Sequence, residues 1–310
     1  MSIDDAMRTC HRLESQHLPM NRFSRRALDF VAAFAMGVPS PLVMNGADPA
    51  KIVLVAGEVK QVDKPGHHDY LGGCRLMAAL LRQSEGVEPV LVEKDWPADE
   101  AVFEGAEAVV FYTDGGGKQA CLSHPGRIAR IEDLVKQGAG LTLLHQAVEF
   151  SPAFAKQSLA WSGAAYTPLS ARGHWDSSHD SFPGHPVSRG VIPWKINDGW
   201  LNRLHFVDGM TGITPLVWSS KTGGGAPGGT PDIVAWTYDR PDGGRSFSFS
   251  GLDAHAAWEL EGMRRLVING ILWSAGLEIP AAGAPCAADK ALIDSFLTPR
   301  TPPPPKVKKP

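Results

Sequence analysis

Cysteine is scarce in this chain: four in 310 residues (Cys10, Cys74, Cys121 and Cys286), with no two in a CxxC pair. That spacing excludes a disulfide framework and a cysteine-type structural zinc site. Charge of one sign is lacking as well. A formal net charge of −3 leaves no broad basic field for nucleic acid and no acidic excess of the kind that keeps a chain disordered. No apolar run approaches the ~20 residues of a membrane-spanning helix, so no membrane span is expected. There is no internal repeat, and no linker-like stretch divides the region from about Pro49 to Pro280. Apolar residues at 43% and charged residues at 20% suit one large globular core.

Both ends differ from the middle. Within residues 1–49, Met20 opens Asn-Arg-Phe-Ser-Arg-Arg, followed by the apolar stretch from Ala27 to Val38 and by Pro39 and Pro41. A basic start, an apolar stretch and a small-residue exit are the layout of an export signal, and Arg25-Arg26 resembles a twin-arginine signal. The expectation is a periplasmic protein. The alternative is a cytoplasmic one with an amphipathic N-terminal helix, since nineteen residues precede Met20 and Asp29 interrupts the stretch. Residues 281–310, ending in Pro302 to Pro305 and three lysines, are expected as an extended tail.

Between the ends, strands alternate with helices. Lys51–Gly57, Pro89–Glu93, Ala106–Tyr112 and Leu141–Leu144 are short apolar runs of the kind that form strands buried on both faces. Tyr70–Gln83, Gly126–Gln137 and Glu259–Ala275 carry apolar residues at helical spacing. This order predicts an α/β fold with a mostly parallel sheet, right-handed crossovers and helices on both faces. After residue 185 a strand-rich segment follows, with runs at 193–196, 214–218, 232–238 and 245–249 separated by glycine- and proline-rich turns.

In such a sheet, ligands bind beyond the carboxyl ends of the strands. Five segments deliver His or Asp there. Glu58 and the loop with His67, His68 and Asp69 follow the first strand. Asp114 with Gly115, Gly116 and Gly117 follows the third, and His145 follows the fourth at a sharp strand exit. His174, Trp175 and Asp176 come from an irregular segment, and Asp253 and His255 follow the last strand. His145 and His174 are candidates for acid and base, with Asp114 or Asp176 orienting them. A divalent metal, zinc or similar, could be held by some of His68, His145, His174 and His255. The three glycines lack P-loop spacing and suit close approach of backbone to a ligand. Asp69 and Asp253 also sit where helix caps would stand. Trp96, Trp175, Trp194 and Trp200 could face sugar rings or fill the core.

The pieces Ala-Gly-Glu (56–58), Gly-His-His-Asp-Tyr (66–70), Thr-Asp-Gly-Gly-Gly (113–117) and Gly-Ala-Gly-Leu-Thr-Leu-Leu-His (138–145) stand in order with three more. These are Gly-His-Trp-Asp (173–176), Gly-His-Pro-Val-Ser-Arg-Gly (184–190) and Asn-Gly-Ile-Leu-Trp-Ser-Ala-Gly (269–276). Together they resemble ThuA-like (trehalose-utilisation) proteins from Lys51 to Gly276. The resemblance implies a class I glutamine amidotransferase-like, flavodoxin-like fold and a role in carbohydrate utilisation, through oxidised 3-keto sugars made by partner dehydrogenases. Relatives lack the amidotransferase nucleophile, and here the strand exit carries His145. Two departures stand out. Asp198-Gly199-Trp200 occupies a place where relatives often have Asp-Glu before an aromatic residue, and residues 252–258 hold a single histidine.

The expectation is an exported enzyme acting on a keto-sugar or glycoside, with Glu58, His68, Gly115, Gly116, Trp175, Asp198 and His255 contacting substrate. A small carbohydrate is the expected ligand, and a homo-oligomer is compatible with the sequence. The rivals are a sugar-binding module without catalysis and a scaffold that uses the Pro/Lys tail.

Overall fold

A strand that is apolar at every position must be covered on both faces, and the order of elements here supplies two covering layers. The computed structural model of the chain describes residues 48–61, 63–115, 121–222 and 231–300. The expected export signal and the Pro302–Lys309 stretch lie outside the described residues. In chain order the elements are β1 (Ala50–Ala56), α1 (Tyr70–Leu81), β2 (Val87–Val92), β3 (Ala106–Tyr112), α2 (Pro125–Lys136) and β4 (Gly140–Leu144). Then come α3 (Ala155–Ser162), β5 (Ala164–Ala165), β6 (Ala171–His179), β7 (Trp194–Asn202), β8 (His205–Phe206) and β9 (Ile213–Thr222). The last are β10 (Pro231–Asp239), β11 (Arg245–Phe249), α4 (Glu261–Ser274) and α5 (Lys290–Ser295).

The main sheet has seven strands in the order β2-β1-β3-β4-β11-β10-β9. The first five are mutually parallel, while β10 runs antiparallel to both β11 and β9. Successive residues of each parallel strand feed opposite layers. Ile52 and Leu54 of β1 pack with Leu76, Met77 and Leu80 of α1 and Leu266 and Ile271 of α4. Val53 and Val55 pack on the other face with Ile128, Ile131 and Leu134 of α2. This is the expected α/β fold with a mostly parallel sheet. Among the described residues no helix is long and apolar enough to cross a membrane.

Two segments differ from the sequence expectation. The region around residue 174 is a nine-residue strand, β6, paired antiparallel with β7 from Ala171↔Asn202 to His179↔Trp194. The described part of the expected extended tail, residues 281–300, packs back on the domain. Asp289 caps α5 by accepting from the Leu292 amide at 2.8 Å, and Ile293 and Cys286 are buried. The apolar residues Leu292, Ile293, Phe296 and Leu297 precede the prolines and give this stretch a face to bury.

Candidate functional site

The carboxyl ends of β1, β4 and β11 meet at one edge of the sheet, and each exit is backbone-strained. His145, directly after β4, has φ +56°; Leu252, after β11, has φ +74°; His68, in the loop after β1, has φ +47°. Left-handed backbone is unfavourable for residues with a Cβ and persists where surroundings enforce it, which is common at functional sites. The surroundings here are specific. The His68 amide donates to the Asp253 carbonyl at 2.9 Å and the His255 amide to the Gly66 carbonyl at 2.6 Å, so residues 66–68 and 253–255 form a short two-stranded bridge. Asp198 lies beneath. Its buried carboxylate accepts from the amides of Leu252 at 2.7 Å, Asp253 at 3.0 Å and Gly199 at 2.8 Å.

Asp253 is the centre of the arrangement. Its Oδ2 is 2.7 Å from His67 Nδ1 and 2.9 Å from His174 Nε2. Its Oδ1 is 2.8 Å from His68 Nε2 and 3.4 Å from His145 Nε2. Burial alone would raise the Asp253 carboxyl; the imidazoles of His145, His68 and His174 overcome it and hold the group well below the usual carboxylate range. Asp114, after β3, accepts from Tyr70 Oη at 2.5 Å and from the Lys60 ammonium. Burial opposes ionisation of Asp114, but these two donors keep its pKa low.

Two of the rings are fixed from behind. His68 Nδ1 lies 3.3 Å from Asp63 Oδ2 and 3.9 Å from Asp114 Oδ1. His145 Nδ1 lies 3.3 Å from the Ser250 carbonyl, which can only accept. Each ring therefore carries a proton on Nδ1 and turns Nε2 toward the same carboxylate oxygen, the orientation that metal-binding histidines take from their outer partners. His145 Nε2 is buried with no hydrogen-bond partner. A neutral ring would set its lone pair against a carboxylate there, and a cation between them resolves the conflict. His68, His145 and Asp253 thus fit a divalent ion, as do His67, His174 and Asp253 by proximity. The first set is more buried and is the one with oriented rings.

The cleft above Asp253 holds about 180 Å³ and is lined by His68, His145, Gln146, Arg172, His174 and Trp200. Arg172 Nη1 is held at 3.0 Å from both Gln146 Oε1 and Glu149 Oε2. The site brings together His68, His145, His174 and Asp114 as expected, and adds Asp253, His67, Lys60, Tyr70 and Arg172.

The other expected residues are placed elsewhere. His255 is buried facing α5, with Nε2 2.9 Å from the Ile293 carbonyl, so it is not a ligand with the other three. Strand alternation turns Trp175 away from His174, and its Nε1 donates to Ser219 Oγ at 2.6 Å. Asp176 is on the exposed face, accepting from Asn197 Nδ2 at 3.2 Å, too far along β6 to orient either histidine. Glu58 is exposed at the end of β1 and does not line the cleft. Asp198 holds backbone rather than facing the cleft. Gly115 is a packing glycine, because a Cβ there would stand 2.2 Å from the Gln146 carbonyl oxygen; Gly116 lies outside the described residues. At Gly199 a Cβ would come within 2.9 Å of Asp253 Cβ and 3.3 Å of His174 Nε2. These two residues fill the space that a glutamate at 199 would need.

Residues 53–274 match the ThuA family, described as trehalose utilisation. The chain belongs to this family. Among solved structures, a protein described as ThuA-like from Parabacteroides merdae aligns at 15% identity with a TM-score of 0.52, over 75% of this chain and 92% of that one. One from Bacteroides uniformis, described in the same way, aligns at 11% identity with a TM-score of 0.55, over 81% of this chain and 99% of that one. A GMP synthase protein from Thermoplasma acidophilum aligns at 10% identity with a TM-score of 0.42, over 74% of this chain and 96% of that one. Among curated proteins no match is found.

Proposed function

We propose that this chain is an enzyme that moves a proton next to the carbonyl of a keto-sugar or keto-glycoside, in a site holding one divalent ion of the zinc type. The observation that carries the reading is the buried, partnerless His145 Nε2 aimed at the Asp253 carboxylate. His68, His145 and Asp253 would hold the ion, which supplies Lewis-acid polarisation of a carbonyl oxygen. His174 is the proton-transferring group. Its ring is 59% exposed; with Nε2–H donated to Asp253, the Nδ1 lone pair is left to take a proton from the carbon beside the carbonyl. Arg172, on the cleft wall, binds sugar hydroxyls. A cleft of about 180 Å³ is smaller than the ~300–1,000 Å³ of drug-sized sites, which suits one ring inside and the rest of a glycoside outside.

The test is deuterium uptake from D2O into a 3-keto-glycoside. The wild-type chain is expected to incorporate deuterium beside the carbonyl, and His174→Ala to lose this by about 10²–10⁴-fold while keeping its metal. Binding without exchange in the wild type would remove the catalytic reading and leave a sugar-binding module. Export through the Met20–Arg26 signal is part of the proposal, checked by N-terminal sequencing of the chain recovered from the periplasm.

A further inference from the structure

The family match ends at residue 274, yet residues 289–300 reach back across the molecule to the loop that carries His67 and His68. The contacts occur at three points. The Ile293 carbonyl accepts from buried His255 at 2.9 Å, two residues beyond Asp253. The Thr298 amide donates to Asp69 Oδ2 at 2.9 Å, next to His68, while Asp69 Oδ1 caps α1 through the Gly72 amide at 3.2 Å. The Arg300 guanidinium spans the loop itself, donating from Nη1 to the Lys64 carbonyl at 3.1 Å and from Nη2 to the His67 carbonyl.

Both segments that these contacts hold deliver groups to the cluster: His67 and His68 from one, Asp253 from the other. They are also paired with each other only through the short bridge at His67↔Ala254. Two backbone hydrogen bonds are a small reserve against fraying, since short exposed segments open far below the global stability. His68 in addition sits at φ +47°, a conformation that relaxes once its neighbours let go. A fork of two charge-assisted donors onto two carbonyls of the loop supplies the missing constraint.

We infer that residues 289–300 are a strap that positions the His67–His68 loop against Asp253, and that Arg300 is its positioning residue. Arg300 touches neither the cleft nor Asp253; it acts through the backbone of Lys64 and His67. This holds whatever reaction the cleft performs.

The test is amide hydrogen exchange on the full-length chain, with side-chain nitrogen spectra of the histidines as a second readout. In Arg300→Ala, exchange at the His68 and His255 amides is expected to speed up by about tenfold or more, while amides of β1 and α4 keep their protection. The ring signals of His67 and His68 should shift, with His185, which is remote from the strap, unmoved. Arg300→Lys, which keeps the charge but loses the fork, should restore part of the protection. Exchange at His68 and His255 within twofold of wild type would overturn the inference. So would an equal rise at β1 and α4, or unmoved His67 and His68 rings.

Discussion

Asp198→Asn separates a residue that holds backbone from one that touches substrate. The buried carboxylate accepts three amides, those of Leu252, Asp253 and Gly199, at 2.7, 3.0 and 2.8 Å. An asparagine of the same size can accept from Asp253 and Gly199 through its one oxygen, but its NH2 then faces the Leu252 amide, donor against donor. The lost charge-assisted bond is worth about 1.5–3 kcal/mol and the stranded buried amide costs about 1–3 kcal/mol more. Part of this is offset, because burial already pushes the Asp198 pKa up and the neutral side chain escapes that penalty. A net loss of about 3 kcal/mol is expected, read as a lower midpoint in urea unfolding with unchanged slope. The same change releases Leu252 from φ +74°, so Asp253 should leave its four histidines and metal affinity should fall with stability. If Asp198→Asn unfolds within about 0.5 kcal/mol of wild type while losing ligand affinity alone, Asp198 contacts substrate and the positioning argument is wrong.

His179, buried between Trp194 and Trp200 with ring centroids 5.0 and 5.5 Å away, gives a pH dependence. Burial lowers its pKa from 6.5 to about 4, so between those values the unfolded chain takes up a proton that the folded chain refuses. Stability therefore falls as pH drops through that window, by about 3 kcal/mol when complete, and His179→Asn should flatten the curve measured by unfolding at pH 4 to 7. Gly115→Ala should destabilise by about 1–3 kcal/mol, because the new methyl meets the backbone carbonyls of Gln146 and Glu149. A thermal melt at the wild-type temperature would argue that residue 115 faces open space. Asp114→Asn should free Lys60 and Tyr70 and lower the Tyr70 hydroxyl pKa, which burial and the Asp114 charge now raise; an unchanged ultraviolet titration of the tyrosines would refute the coupling.

The parallel half of the fold is legible in the sequence because its signal is hydrophobic. Ile52 to Val55 and Val109 to Phe111 are apolar at every step, and α1, α2 and α4 repeat at helical spacing. The β6–β7 hairpin is not, since β6 alternates Arg172, His174 and Asp176 outward with Trp175, Ser177 and His179 inward, and only Trp175 in that set is strongly apolar. Asp253 is obscured for a related reason. A lone Asp just before a helix looks like a cap, yet the cap position belongs to Ala254, which makes no side-chain cap bond. What makes Asp253 central is long-range: the β11 exit, the Leu252 turn and the Asp198 carboxylate 55 residues away in sequence. The site role expected for His255 fails because of the strap, whose carbonyl takes its ring and whose packing no local pattern announces. His145 is legible because a polar residue ending an apolar strand has few places to go but the sheet edge.

The most direct measurement is the metal content of the purified full-length chain beside His145→Ala and Asp253→Asn. One equivalent of a divalent ion in the wild type, lost in both variants while far-UV circular dichroism keeps its shape, is the expected result. A metal-free wild type that stays metal-free when zinc, manganese or cobalt is supplied, or full retention in both variants, would contradict the site built on His68, His145 and Asp253.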